Sequence, residues 1–234
     1  MSKPDCLVIG AGAGAGIGGH VAKRFAHGGF HACLARRTDG QGLDRLVREI
    51  TDAGDSASGF MLNAVEDGSI ETLVEKIESD IGPIEVAVDN LNAQIGDRAL
   101  AETSLKAFET GWRMATFGLF RLASCLLPRM AQRGRGTLSQ TLNAEFAAKG
   151  IHVAHIVIDG LVDAPDTLGK MLGPERFESL RERKGLEKDG LLVLAAIAET
   201  YYHLATQHRS AWTFELELRA HSDVAWWNHA SLSL

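Results

Sequence analysis

A run of alternating glycines, Gly10-Ala11-Gly12-Ala13-Gly14-Ala15-Gly16-Ile17-Gly18, is the feature that most narrows what this chain can fold into. It lies between a short apolar run ending at Gly10 and an apolar-periodic stretch, 17–27, that reads as a helix. A strand, a glycine turn and a helix in that order form the context in which such a run carries a mechanism. Residues without bulk let the backbone approach a pyrophosphate, and the helix that follows offers unpaired N–H groups and its positive dipole end to phosphates. Gly12, Gly16, Ile17 and Gly18 are the expected contacts.

The alternation continues down the chain. Strands are expected at 31–35, 58–62 and 85–89. Between them, Leu43, Leu46, Val47 and Ile50 make one helical stripe, and Ile70, Leu73, Val74 and Ile77 make another. Strict alternation implies a doubly wound parallel sheet with helices on both faces, an α/β/α sandwich. A long helix capped by Ser104 follows, fading through Pro128, and a further helix is expected over 138–148. The remaining expectations are a strand at 152–159, a helix within 165–184, a helix near 191–206 and a last strand at 212–218. At 234 residues the whole is read as one nucleotide-binding domain with a C-terminal tail over about 219–234.

The end of the second strand bears on which dinucleotide such a loop would hold. An acid there hydrogen-bonds a ribose 2′-OH and repels a 2′-phosphate. Here that place is Arg36-Arg37, two guanidinium groups suited to a phosphate, so NADP(H) is expected over NAD(H).

The spacing Gly12-x-x-x-Gly16-Ile17-Gly18 is similar to the glycine signature of the short-chain dehydrogenase/reductase family, with Ala11 where that family usually has threonine. Asn63-Ala64 resembles the family's Asp-Val pair at adenine, Asn92-Ala93-Gln94 its Asn-Ala-Gly, and Asp159-Gly160-Leu161-Val162 its Pro-Gly-x-Val beside the nicotinamide. The resemblance implies a Rossmann fold, with Asn63, Ala64, Asn92, Ala93, Gly160 and Val162 at the cofactor. It also implies hydride exchange between a nicotinamide and a small carbonyl or alcohol, and assembly as a homodimer or homotetramer through the long helix and the last helix and strand.

The same resemblance exposes an absence. The family's acid is the tyrosine of a Tyr-x-x-x-Lys on the helix after a fifth strand, preceded by a serine. The two tyrosines here, Tyr201 and Tyr202, begin no such motif, and packing is their expected role. No strand of about five residues fits between Thr137 and Leu138. Either the natural polypeptide carries a strand and half a helix here that this sequence lacks, or the sheet has rearranged around their loss. The continuously apolar stretch at 152–159 favours the first. Spacing to Gly118 also puts Ala115 where the family has a catalytic asparagine. Two readings therefore stand: an NADP(H)-dependent oxidoreductase with no catalytic residue legible in the sequence, and a non-catalytic NADP(H)-binding relative serving as a sensor or oligomer partner.

Other chemistries find less support. A net charge of −6 with scattered arginines gives no footprint for nucleic acid. No apolar stretch reaches about 18 residues, so no membrane span is expected, and Cys6, Cys33 and Cys125 suit a reducing cytoplasm. No Gly-x-Ser-x-Gly elbow occurs, and His152 and His155, on opposite faces of one expected strand, could not share a metal. Trp226-Trp227 in the tail would mark either core or a partner surface.

Overall fold

The computed structural model describes residues 3–12, 16–91, 102–133, 136–137 and 146–223. Strand β1 (Asp5–Ile9) is buried at every position because it runs through the middle of a parallel sheet covered on both faces. Leu7 and Ile9 enter the core on one face, and Cys6 and Val8 enter the core on the other. Around it the order is β3-β2-β1-β4, with β2 at His31–Arg36, β3 at Ser56–Met61 and β4 at Ile84–Asp89, all pairs parallel.

Helices α1 (Ile17–His27) and α2 (Gly40–Asp52) cover one face; α3 (Ser69–Asp80) covers the other, and its expected stripe Ile70, Leu73, Val74 and Ile77 is buried throughout. The long helix is α4 (Leu105–Trp112), one π turn (Arg113–Phe117) and α5 (Gly118–Arg133), with Ser104 Oγ accepting from the Ala107 N–H as its cap. It runs through Pro128 to Arg133, as expected, with Leu126, Leu127 and Met130 sealing that end against the core.

Beyond β4 the sheet changes character. The expected gap at Thr137 is occupied by a two-residue strand, β5 (Gly136–Thr137), lying beside β4 and pairing in parallel with β6 (Ile151–His152). The expected single strand at 152–159 is divided: the ladder stops after His152 and resumes as β7 (His155–Ile158), which pairs with β8 (Glu215–Leu218). The break falls where β5 ends, so that β7 is hydrogen-bonded only to β8 among the described residues. His152 and His155 therefore lie on separate strands; His152 is buried, bonded through Nε2 to the Thr213 carbonyl at 2.8 Å and stacked on Trp212.

Most of the helix expected at 138–148 lies outside the described residues, and what is described ends in a 3-10 turn, Ala147–Lys149. The stretch expected to hold one helix at 165–184 is a π turn (Pro165–Gly169), a single α turn and then α6 (Pro174–Lys184), divided at Gly173, whose φ is 82°. The last helix is α7 (Leu194–Ala205), packed on α1 through Tyr202 and Phe25. No helix of the described residues is long and apolar enough to cross a membrane.

Candidate cofactor cleft

The glycine turn sits where β1 ends. Gly10 has φ +83°, and a Cβ there would lie 2.5 Å from the Asn90 carbonyl oxygen. A Cβ on Gly18 would collide with the Gly10 carbonyl, so the first turn of α1 is drawn tight against the strand end by two residues that must lack side chains. Gly12, by contrast, faces open space. Gly16 is the N-cap of α1 and supplies no side chain to its first N–H groups, which leaves them directed at the cleft.

Two connected recesses meet at this turn. The smaller, about 230 Å³, is bounded by Gly12, Arg36, Arg37, Asn63, Ala64 and Met114. The larger, about 1100 Å³, takes in Gly12, Gly16, Ile17 and Gly18 and runs under the 160–171 loop past Gly160 and Val162. Gly10, Gly12, Asn90 and Leu91 border both. Ten of the twelve residues expected from sequence thus line one continuous cleft; Asn92 and Ala93 lie outside the described residues, as does Gln94.

Charge in the small recess is organised by Arg36. Its Nη2 lies 3.4 Å from Asp39, whose carboxylate also accepts from the Gly42 N–H as the cap of α2, with Asp39 itself at φ 59°. Arg36 Nη1 is buried without a hydrogen-bond partner among the described residues, and so is Asn63 Oδ1. A buried guanidinium N–H and a buried amide oxygen left unpaired are costly, by about 1–3 kcal/mol each, unless a ligand completes them. Arg37 is exposed at the rim.

The loop carrying Asn63 and Ala64 is held from below by the long helix. Arg121, almost fully buried, donates to the Ala64 and Glu66 carbonyls at 3.0 and 2.9 Å and pairs with Glu71; Arg113 reaches the Val65 carbonyl and Asp67. The hydrogen bond to Arg121 holds the Glu71 carboxyl below its usual range. Ala115 is exposed and borders neither recess; Met114 is the residue of that turn that faces the small one.

Sequence reasoning missed four contributors. Asn90 donates through Nδ2 to the Gly10 carbonyl at 3.1 Å, tying β4 to the glycine turn, and its signal was being the first amide side chain after the apolar strand. Asp89, His155 and Tyr201 line the large recess and also a smaller slot, about 110 Å³, between β4 and β7. Burial pushes the Asp89 carboxyl up to about 7, partly offset by the Leu91 N–H it accepts, and burial with the nearby Asp89 pushes Tyr201 up to about 12. Tyr202 packs as expected, edge-on to Phe25 with its hydroxyl donating to the Gly28 carbonyl.

Residues 6–141 match the short chain dehydrogenase family. A fatty acyl-CoA reductase of Acinetobacter baylyi is 31% identical over 129 residues, 54% of this chain and 43% of that protein, so this chain spans less than half of that relative's length. Among solved structures, a short-chain dehydrogenase from Rhodopseudomonas palustris is 27% identical with a TM-score of 0.72, covering 93% of this chain and 99% of its own. An actinorhodin polyketide ketoreductase solved with NADPH has a TM-score of 0.78 at 22% identity, covering 94% and 98%, and bears on the fold alone. The glycine turn, the order of the strands and the match over more than half of the sequence together make this chain a member of the short chain dehydrogenase family.

Proposed function

We propose that the chain is an NADP(H)-dependent oxidoreductase acting on a small carbonyl compound or alcohol. The observation that carries the cofactor choice is Arg36 Nη1, buried and unpaired at the recess that opens onto the glycine turn. A 2′-phosphate there would complete it with a charge-assisted bond, while a bare 2′-hydroxyl would leave it the weaker acceptor. Asn63 Oδ1 in the same recess suits an exocyclic amine such as that of adenine. Gly12 and the N-terminus of α1 would take the pyrophosphate, which puts the second half of a dinucleotide in the large recess beside Gly160 and Val162. Bound there, the nicotinamide supplies or accepts a hydride. The chain's own residues hold the dinucleotide, exclude water beneath the 160–171 loop and move the proton.

The observation favouring a non-catalytic reading is that no Tyr-x-x-x-Lys occurs and that Tyr202 is committed to packing. Titrating the protein with NADPH and NADH by nucleotide fluorescence, then following absorbance with small carbonyls, separates the two readings. NADPH binding tighter than NADH by tenfold or more with turnover supports the oxidoreductase; binding without turnover supports the sensor.

Assembly with further copies of itself belongs to the same reading. Leu105, Phe108, Trp112 and Phe120 stand exposed along the long helix, and Phe117 stacks between Trp112 and Phe120. An aromatic face of this size is more favourable against a second copy than in water. Sedimentation should give a dimer or tetramer, and Trp112→Glu with Phe120→Glu should return a monomer.

A further inference from the structure

The cleft must supply a proton if it reduces a carbonyl, and the family's tyrosine is not in this sequence. Three protic side chains border both the large recess and the slot between β4 and β7: Asp89, His155 and Tyr201. They stand on the side of the glycine turn opposite Arg36, where the reacting half of a dinucleotide would fall.

The three are not equivalent. Tyr201 packs against the apolar residues of two cores, and its raised affinity for its proton makes it a poor acid. His155 Nδ1 lies 3.1 Å from the Glu215 carboxylate, which draws the ring toward β8. Asp89 sits at the very end of β4, next to Asn90, which grips the glycine turn, and its Oδ1 accepts from the Leu91 N–H at 3.1 Å. That bond directs a proton to Oδ2. Asp166 and Lys170 of the covering loop are the other titratable groups bordering the large recess, and the rest of the slot is apolar apart from backbone.

We propose that Asp89 is the proton-transferring residue of this cleft, donating to a substrate carbonyl oxygen in reduction and recovering the proton from the alcohol in oxidation. The proposal rests on the oxidoreductase reading above. In reduction the carbonyl carbon receives a hydride from the dihydronicotinamide, the C=O π pair moves to oxygen, and that oxygen takes the Asp89 proton. The products are the alcohol, the oxidised nicotinamide and an Asp89 carboxylate, which regains its proton from solvent. A half-buried carboxyl whose affinity for its proton is raised to about 7 is populated in both its acid and base forms near neutral pH, which suits both directions.

The test uses the full chain with NADPH and 4-nitrobenzaldehyde, comparing wild type with Asp89→Asn, Asp89→Glu and Tyr201→Phe. Nucleotide fluorescence is read first on each protein. Asp89→Asn should bind NADPH like wild type yet lose about 100-fold or more in kcat, with Asp89→Glu recovering part and Tyr201→Phe losing at least tenfold less than Asp89→Asn. The wild-type reduction rate should fall tenfold per pH unit above about 7. Carbon-13 NMR of aspartate-labelled protein should show one carboxyl resonance, missing in Asp89→Asn, that titrates near 7 and moves on adding NADP⁺. Failure of wild type to bind NADPH would sink the oxidoreductase reading and this proposal with it. Retained NADPH binding with no aldehyde turnover would favour the sensor and remove the proposal together with the oxidoreductase reading, whereas turnover with an unchanged rate in Asp89→Asn, or with a resonance indifferent to NADP⁺, would overturn the Asp89 assignment alone.

Discussion

The two ends of the sheet differ in how completely they are built. From β3 to β4 the strands form one parallel ladder with a single irregularity at Glu85, both faces are covered, and the glycine turn is locked by backbone approaches that tolerate no side chain. From β5 to β8 the ladders come in two-strand pieces, and an apolar slot separates β4 from β7. The first region holds the groups suited to a dinucleotide; the second is where a short-chain dehydrogenase would keep its serine, tyrosine and lysine. The contrast teaches that, among the described residues, the glycine-turn end of such a fold can be one continuous sheet while the opposite end comes in two-strand pieces.

The contrast should appear most strongly in packing energies. Leu7→Ala, in the fully buried centre of β1, should cost about 3–4 kcal/mol in urea unfolding, and Ile156→Ala, half-buried and facing the slot, about 1 kcal/mol. Equal costs would mean that the two ends are equally consolidated.

Next in size is the tie between the long helix and the adenine-side loop. Arg121→Ala strips hydrogen bonds from the Ala64 and Glu66 carbonyls and should cost about 2–3 kcal/mol, with weaker NADPH binding in the same sample. Loss of stability with unaltered binding would show that the loop holds its shape without the helix.

A pH series probes the junction between the two regions. Burial raises Asp89 to about 7, and burial with Glu85 and Glu78 raises Asp5 to about 6, both from 3.8. Between 3.8 and those values the folded protein binds more protons than the unfolded chain, so stability should rise as pH falls from 8 toward 5. Asp89→Asn and Asp5→Asn should each flatten part of that rise. Below about 4.5 an opposing trend should set in, because the unfolded chain's Glu71 takes up a proton that the folded carboxylate, held low by Arg121, does not, and that contribution is lost as pH falls on through the folded value. The smallest expected effect is Ala154→Val at the slot, within about 1 kcal/mol of wild type because the space is already there.

Where periodicity and turn chemistry act locally, the sequence could be read directly. The start and end of α1 and the buried stripe of α3 follow from short-range pattern, whereas resemblance to a family motif is what places Asn63 beside Gly12 and Arg36. The division of 152–159 into β6 and β7 does not, since it depends on where β5 ends, fifteen residues earlier. Asp89 was read only as the end of a strand, because its raised affinity for a proton comes from burial that no neighbouring residue encodes. Ala115 faces away because a π turn shifts the register of the long helix, and nothing in Arg113–Phe117 announces that turn.

The most direct measurement is a paired titration of wild type and Arg36→Ala with NADPH and NADH under one set of salt conditions. Arg36→Ala should weaken NADPH by about 30-fold, close to 2 kcal/mol for a charge-assisted bond, and leave NADH within about twofold. Equal losses for the two dinucleotides, or no loss for NADPH, would contradict the assignment of the Arg36 recess to a 2′-phosphate.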